Sequence, residues 1–327
     1  MNRRRFVLAA TISMLVITIA VAGLAFYSNF SASAFVQGVP SAIRHFPSDT
    51  QAVFGMNVKK FIASPVYALV MQKYEQEIGK ELAEITAKTG VDPRSDIDYI
   101  IGASRPAQQK GAGVVIAVGT FKQDSIINFI YSQRTPSQWT PLKVDYNGAT
   151  VLMIPEANKL EGGIAFLSDS EIALGDLESL RAVLDVRYGK AGGISKDSAL
   201  SELLARVGSD EMFWFAGDAT VLSKVPAGTP LVPNLSVIQG VFGALNLSSP
   251  INGKITVVAR DEASAKQLAD FARGLVALGN LAGGQNPEIA ALARGFQITQ
   301  AASQLEISLT LPVEILTKLD AAKIHIK

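Results

Sequence analysis

The chain of 327 residues contains no cysteine. That absence removes disulfides, thiol nucleophiles, thiolate metal sites and lipid attachment through cysteine. Histidine is nearly absent too. His45 and His325 are the only two, and they stand near opposite ends of the chain. A His-based catalytic triad or a multi-His metal site would need those ends to meet. The formal charge is only +1, and subtracting Arg3, Arg4 and Arg5 leaves −2 for the rest. A near-neutral body lacks the basic face that nucleic acid requires, so no nucleic-acid partner is expected.

Nucleotide and hydrolase signatures are missing as well. The chain has no Gly-x-x-x-x-Gly-Lys-Ser/Thr loop and no Gly-x-Ser-x-Gly elbow. Gly111-Ala112-Gly113 precedes a strand pattern, whereas a dinucleotide fingerprint follows a strand and opens a helix. No catalytic, cofactor-binding or metal-ligating residue is therefore nominated, and no cofactor is expected. The balance leans away from an enzyme. A carboxylate-only hydrolase stays open as an alternative, because paired acids need no sequence proximity.

What is present begins at the N-terminus. Phe6 to Phe26 is a 21-residue run without charge, directly behind Arg3-Arg4-Arg5. As a helix it would span about 31 Å, matching a hydrocarbon core of about 30 Å. Eleven of its residues are Phe, Val, Leu or Ile. They contribute on the order of −5 kcal/mol to insertion. The arginines mark the cytoplasmic side, so the rest of the chain is expected outside the cytoplasm. The expectation is a single-pass signal-anchor in a bacterial inner membrane with a periplasmic body. A cleaved signal peptide is the alternative, because Ala32-Ser33-Ala34 forms a cleavage site that would leave a secreted protein starting at Phe35.

The expected domains are the anchor or signal segment over 1–27, a tether over 28–45, and two α+β halves over 46–192 and 193–327. Ser64 as N-cap, Pro65 in the first turn and Gly90 beyond Lys88 delimit a long helix. Its apolar stripe is Tyr67, Val70, Tyr74, Ile78, Leu82 and Ile85, expected to lie on a sheet. Asn147-Gly148 predicts a type I′ hairpin between 142–146 and 149–154. Other strands are expected over 51–57, 97–103, 114–120, 212–216, 251–259, 296–301 and 305–311, with helices over 123–131, 177–188, 198–207, 263–281 and 287–294.

The halves echo each other. Ser48-Asp49, Phe54 and Asn57 recur at the same spacing as Ser209-Asp210, Phe215 and Asp218. Ile101-Gly102-Ala103-Ser104-Arg105-Pro106 is echoed by Leu245-Asn246-Leu247-Ser248-Ser249-Pro250. Strands, hairpins and helices in mixed order predict α+β with mainly antiparallel sheet. A ferredoxin-like arrangement of each half is the specific expectation.

The anchor, the run Phe46-Pro47-Ser48-Asp49-Thr50-Gln51-Ala52-Val53-Phe54 and the long helix together resemble bacterial exported proteins of uncharacterised families. Those carry a repeated α+β unit outside the cytoplasm. The resemblance implies location and architecture, and no activity.

Three stretches invite chemistry. Asp92, Asp96 and Asp98 suggest a calcium site, but they lack a distal Glu and enclose Arg94, which favours a turn at a helix exit. Phe213-Trp214-Phe215 reads as core, with a ligand-stacking platform as the functional alternative. Val225 to Gly253 carries no charge and contains Pro226, Pro230, Pro233 and Pro250. It reads as buried helix and strand, or as an apolar lip contacting a protein, lipid or apolar ligand. The expected function is a membrane-anchored, non-enzymatic module that binds a partner or supports an envelope assembly. A carrier or sensor of an apolar small molecule or lipid is the alternative.

Overall fold

The computed structural model describes residues 41–106, 113–132, 141–156, 159–208, 210–220, 235–282 and 287–316. The expected anchor, most of the tether, Ser209, Val225 to Asn234 and His325 lie outside them. Among the described residues no helix is long and apolar enough to cross a membrane.

The chain enters through a 3-10 turn, Ser41–His45. Ala42, Ile43 and His45 of this turn are buried, so residues 41–45, expected in the tether, belong to the folded body. Then come β1 (Ala52–Asn57), α1 (Val58–Ile62) and α2 (Pro65–Thr89). Asn57 ends β1 and caps α1, its side chain accepting from the Lys60 amide at 2.9 Å. Ser64 caps α2 by accepting from the Tyr67 amide, and Gly90 closes it at φ +68°. Strands β2 (Ile97–Ser104) and β3 (Gly113–Gly119) lead to α3 (Gln123–Ser132). A meander follows: β4 (Leu142–Tyr146), β5 (Ala149–Glu156), β6 (Lys159–Ser168) and β7 (Glu171–Gly175). Asn147 and Gly148 both take positive φ, 52° and 85°, as a type I′ turn demands.

Helices α4 (Leu177–Arg187) and α5 (Ala199–Leu204) connect to the second half. There β8 (Phe213–Asp218), β9 (Ile238–Asn246) and β10 (Ile251–Ala259) precede α6 (Glu262–Ala282) and α7 (Pro287–Gly295). The hairpin β11 (Phe296–Ala301) and β12 (Gln304–Leu311) ends the sheet.

The twelve strands among the described residues form one antiparallel sheet in the order β11-β12-β10-β9-β8-β1-β2-β3-β7-β6-β5-β4. The fold is α+β. The two halves meet at the β1–β8 seam, where Phe54 pairs with Phe215 at the centre of the register. Outward from this seam, β1-β2-β3-β7-β6 on one side answers β8-β9-β10-β12-β11 on the other. Only the β5–β4 hairpin has no counterpart among the described strands. The ferredoxin-like expectation fails on strand order: such a unit inserts its third strand between its first two. Here the first three strands of each half are neighbours in sequence order, each paired antiparallel with the next.

Side-chain alternation sorts the core into layers. On one face Val53, Ile101, Ile116, Ala173 and Ala216 pack under the 3-10 turn, α4 and α5. On the other, Met56, Ile100, Ala117 and Ile172 meet α1 and α3. α6 covers β10, β11 and β12 through Ala265, Leu268 and Ala269. α7 and the first turn of α2 share a further cluster around Ile251 and Leu311.

The stripe on α2 is only partly used. Ile85 is buried, but Val70 and Tyr74 of the stripe remain exposed, and at the near end it is Val66 and Leu69, beside the stripe, that pack. Tyr74 itself leaves helical geometry, at φ −120° and ψ 17°. The helix packs mainly against its helical neighbours α1 and α3, and Val70 and Tyr74 face solvent. The Gly189 to Gly193 stretch between the halves is pinned to the entering chain: Ser48 donates to Gly192 and Ile194 to Phe46, each at 3.1 Å.

Candidate interaction surface

The acidic residues Asp92, Asp96 and Asp98 build the helix-exit turn that their sequence favours. Asp92 holds Arg94 through two side-chain bonds of 3.0 and 2.8 Å. That bidentate hydrogen bond keeps the Asp92 carboxyl below the usual range despite some desolvation. Asp96 turns back to accept from the Asp92 amide at 2.8 Å, and Asp98 pairs with Lys59. This is the helix-exit turn, closing the α2–β2 connection. Among the described residues no group of three or more His, Asp or Glu side chains is arranged to hold a metal ion.

The aromatic trio is core. Trp214 and Phe215 are buried, and Phe213 meets Phe61 edge-on with ring centroids 5.6 Å apart. The Trp214 indole N–H donates to the Tyr99 hydroxyl. Burial pushes the Tyr99 hydroxyl up to about 12, with Asp210 and Glu211 adding to the rise and the Trp214 bond opposing it.

The uncharged stretch Val225 to Gly253 resolves differently along its length. Its later part is β9, a central strand with Val241 and Phe242 buried, and the start of β10. That part belongs to the sheet, with Ile238, Val241, Phe242 and Ile251 buried and the turn residues Ser248, Ser249 and Pro250 exposed.

A charged cluster not nominated from the sequence lies under the 3-10 turn. His45 and Glu171 are buried, with His45 Nε2 3.2 Å from Glu171 Oε2. The Arg187 guanidinium lies 3.3 Å from the same His45 nitrogen and 3.6 Å from the carboxylate. Arg44 reaches the other carboxylate oxygen at 3.9 Å. Nε2 can donate to Glu171 or accept from Arg187, according to its tautomer. Burial drives the His45 pKa down; Glu171 opposes this and the two arginines assist it. The cluster ties the entering chain to β7 and α4, joining residues 126 and 142 positions apart.

The exposed apolar surface lies elsewhere. The last two turns of α6 leave Leu275, Leu278 and Leu281 at 43, 58 and 76% exposure. Gly274 to Pro287 contains no charge. An amphipathic surface helix normally turns its polar side outward. Here the far end of α6 turns leucine outward, while Gly279 packs close to Ala293 of α7.

The strand beneath α6 is equally bare. β11 reads Phe-Gln-Ile-Thr-Gln-Ala, without charge or proline, and Phe296 is exposed. It is an outer strand of the sheet. The opposite outer strand, β4, carries Lys143 and Asp145 and is preceded by Pro141. Lysine, charge and proline are the usual means of blunting an edge. One edge has them and the other lacks them.

No protein-family model matches the chain. No curated protein matches it either. Among solved structures the chain is similar to TP0453 in its crystal form III, at 10% identity and a TM-score of 0.50, covering 87% of this chain and 98% of that one. Crystal form I of TP0453 aligns at 12% identity with a TM-score of 0.47, over 87% of this chain and 97% of that one. At such identities the likeness to form III is one of fold.

Proposed function

We propose that this protein is a membrane-tethered extracytoplasmic module that binds a protein partner in an envelope assembly. The observation that carries the location is the uncharged run Phe6 to Phe26 behind Arg3-Arg4-Arg5. Between Phe26 and Ser41, the first described residue, lie 14 residues. Fully extended they reach about 50 Å at most, so the body stays close to the bilayer. The contact surface is the end of α6 with Leu275, Leu278 and Leu281, beside the bare edge of β11. Large exposed apolar side chains gathered on one element mark interaction surfaces more often than chance exposure does. The two halves, each built outward from the seam in the same strand order, supply a rigid platform for this surface.

Fractionation of the native cells tests the tether. The full-length mass is expected in the membrane fraction, with the body digested by protease added outside the cytoplasmic membrane. A soluble exported species beginning at Phe35 would overturn the tethered reading.

A further inference from the structure

We propose that β11 pairs antiparallel with β11 of a second copy of this chain, continuing the sheet through a two-fold axis. The inference rests on the preceding reading only in taking the β11–α6 region as the contact surface.

The argument starts from an asymmetry. Outward from the seam, β11 stands where β6 stands in the first half. β6 does not end the sheet: β5 pairs along its outer side, and β4 follows with its charged residues. β11 has no such cover among the described strands. An uncovered strand edge presents unpaired N–H and C=O groups, which bind another strand readily. Nothing in the sequence of β11 opposes that: it holds no charge and no proline.

A second copy suits this edge. Two uncharged β11 strands meet without repulsion. An axis perpendicular to the sheet, midway between the two copies of Ile298 or of Thr299, keeps the two faces of the sheet continuous. The β1–β8 seam already joins two similar halves by antiparallel pairing across like strands. Because α6 lies over β11 and β12, the same axis places both copies of α6 on one face, on either side of the join. α6 spans about 31 Å and is about 10 Å wide. With a six-residue strand edge, the contact amounts to roughly 500 Å² per copy, near the lower limit for a specific interface. The dimer is therefore weak in solution and concentration-dependent.

The test uses the full chain in mild detergent, with mass measured by light scattering across a concentration series. A concentration-dependent dimer is expected. The double substitution Gln297→Lys and Thr299→Lys places lysines on exposed edge positions. It should raise the dissociation constant at least tenfold with an unchanged melting temperature. Since the chain lacks cysteine, Thr299→Cys alone reports the geometry. A short bis-maleimide should link two such copies and should fail to do so with Lys143→Cys on the opposite edge. A monomer at every concentration, or a dimer indifferent to the two lysines, would overturn the proposal. Dimer loss on Leu278→Glu with no loss on the edge lysines would also overturn it, by moving the contact from strand to helix. None of these outcomes depends on whether the N-terminal segment is retained, so failure of the tether and failure of the dimer are separable.

Discussion

Gly55→Ala is expected to damage the seam more than any surface change. Gly55 on β1 lies directly opposite Trp214 on β8. The indole folds across the glycine, and a Cβ at position 55 would sit 2.2 Å from Cζ2 and 2.3 Å from Cε2. Ordinary contact begins near 3.4 Å, so the ring must move by about 1 Å. It has little freedom to do so, because Trp214 is 2% exposed and its N–H is held by the Tyr99 hydroxyl. Overpacking of this kind costs about 1–3 kcal/mol. If the ring swings away, the lost hydrogen bond adds about 0.5–1.5 kcal/mol. A total of about 2–4 kcal/mol follows, a large share of a typical stability of about 5–15 kcal/mol. At about 2–4 °C per kcal/mol the melting temperature falls by about 5–15 °C. Urea unfolding followed by far-UV circular dichroism measures the loss. Trp214→Phe supplies the control, since it removes the indole atoms that the added methyl would strike. The double variant should be less damaged than the sum of the singles by about 1 kcal/mol or more. A loss below about 0.5 kcal/mol for Gly55→Ala, or a cycle that closes additively, would refute the steric account.

Further outcomes follow from the same structure. His45 has a folded pKa below its ordinary 6.5, with burial the leading cause. The unfolded chain therefore binds the proton more tightly, and the stability due to His45 is full above pH 6.5 and is lost as pH falls through the lower folded value. Chemical denaturation between pH 7.5 and 5 (about the span over which histidine titrates) should show this decline, and His45→Gln should flatten it. Asp176 accepts from the Ser179 amide at 2.9 Å, the Ser179 hydroxyl at 2.6 Å and the Gly113 amide at 3.2 Å. Asp176→Ala should cost about 1–2 kcal/mol by uncapping α4 and orphaning the β3 amide, read as a drop in the urea midpoint. Gly90→Ala, at φ +68°, should cost about 1–2 kcal/mol in the same assay.

Local signals are legible where short-range chemistry decides the structure. Ser64, Pro65 and Gly90 delimit α2 because cap, first turn and left-handed exit each act within a few residues. Asn147-Gly148 marks its hairpin for the same reason. Periodicity identifies the stripe on α2 but does not say what covers it, and Val70 and Tyr74 are exposed. α1, five residues long, is too short to show a period. β9 is hidden in the sequence because a central strand with consecutive buried residues, Val241 and Phe242, loses its alternation. His45 resembles tether because its neighbours in sequence offer no partner. The groups that bury it, Glu171 and Arg187, arrive from far along the chain. The edge of β11 and the leucines of α6 are visible as residues, yet their exposure depends on strand order, which pairwise spacing does not encode.

The internal echo is legible at one strand and slips at the next, and the slip has a physical reading. Phe54 matches Phe215 by spacing, and the structure pairs them with each other across the seam. The Ser-x-Pro pattern shared by the loops aligns Gly102 with Asn246. The structure instead equates Gly102 with Gly243: Phe54 lies opposite Gly102, and Phe215 lies opposite Gly243. A Cβ at Gly102 would come within 2.1 Å of the Phe54 ring, and one at Gly243 within 2.6 Å of the Phe215 ring. Each half thus lays the ring of its first strand over a glycine of its second. This cross-strand fit carries the likeness between the halves, whereas the loops at the strand ends do not share it. The fit also explains why seam and edge should answer differently to substitution. At the seam, aromatic and glycine interlock, so a single added methyl disturbs several buried groups and is read as lost stability. At β11 most side chains are exposed and the outer backbone has no described strand beside it, so lysines there leave the fold intact and are read as lost association.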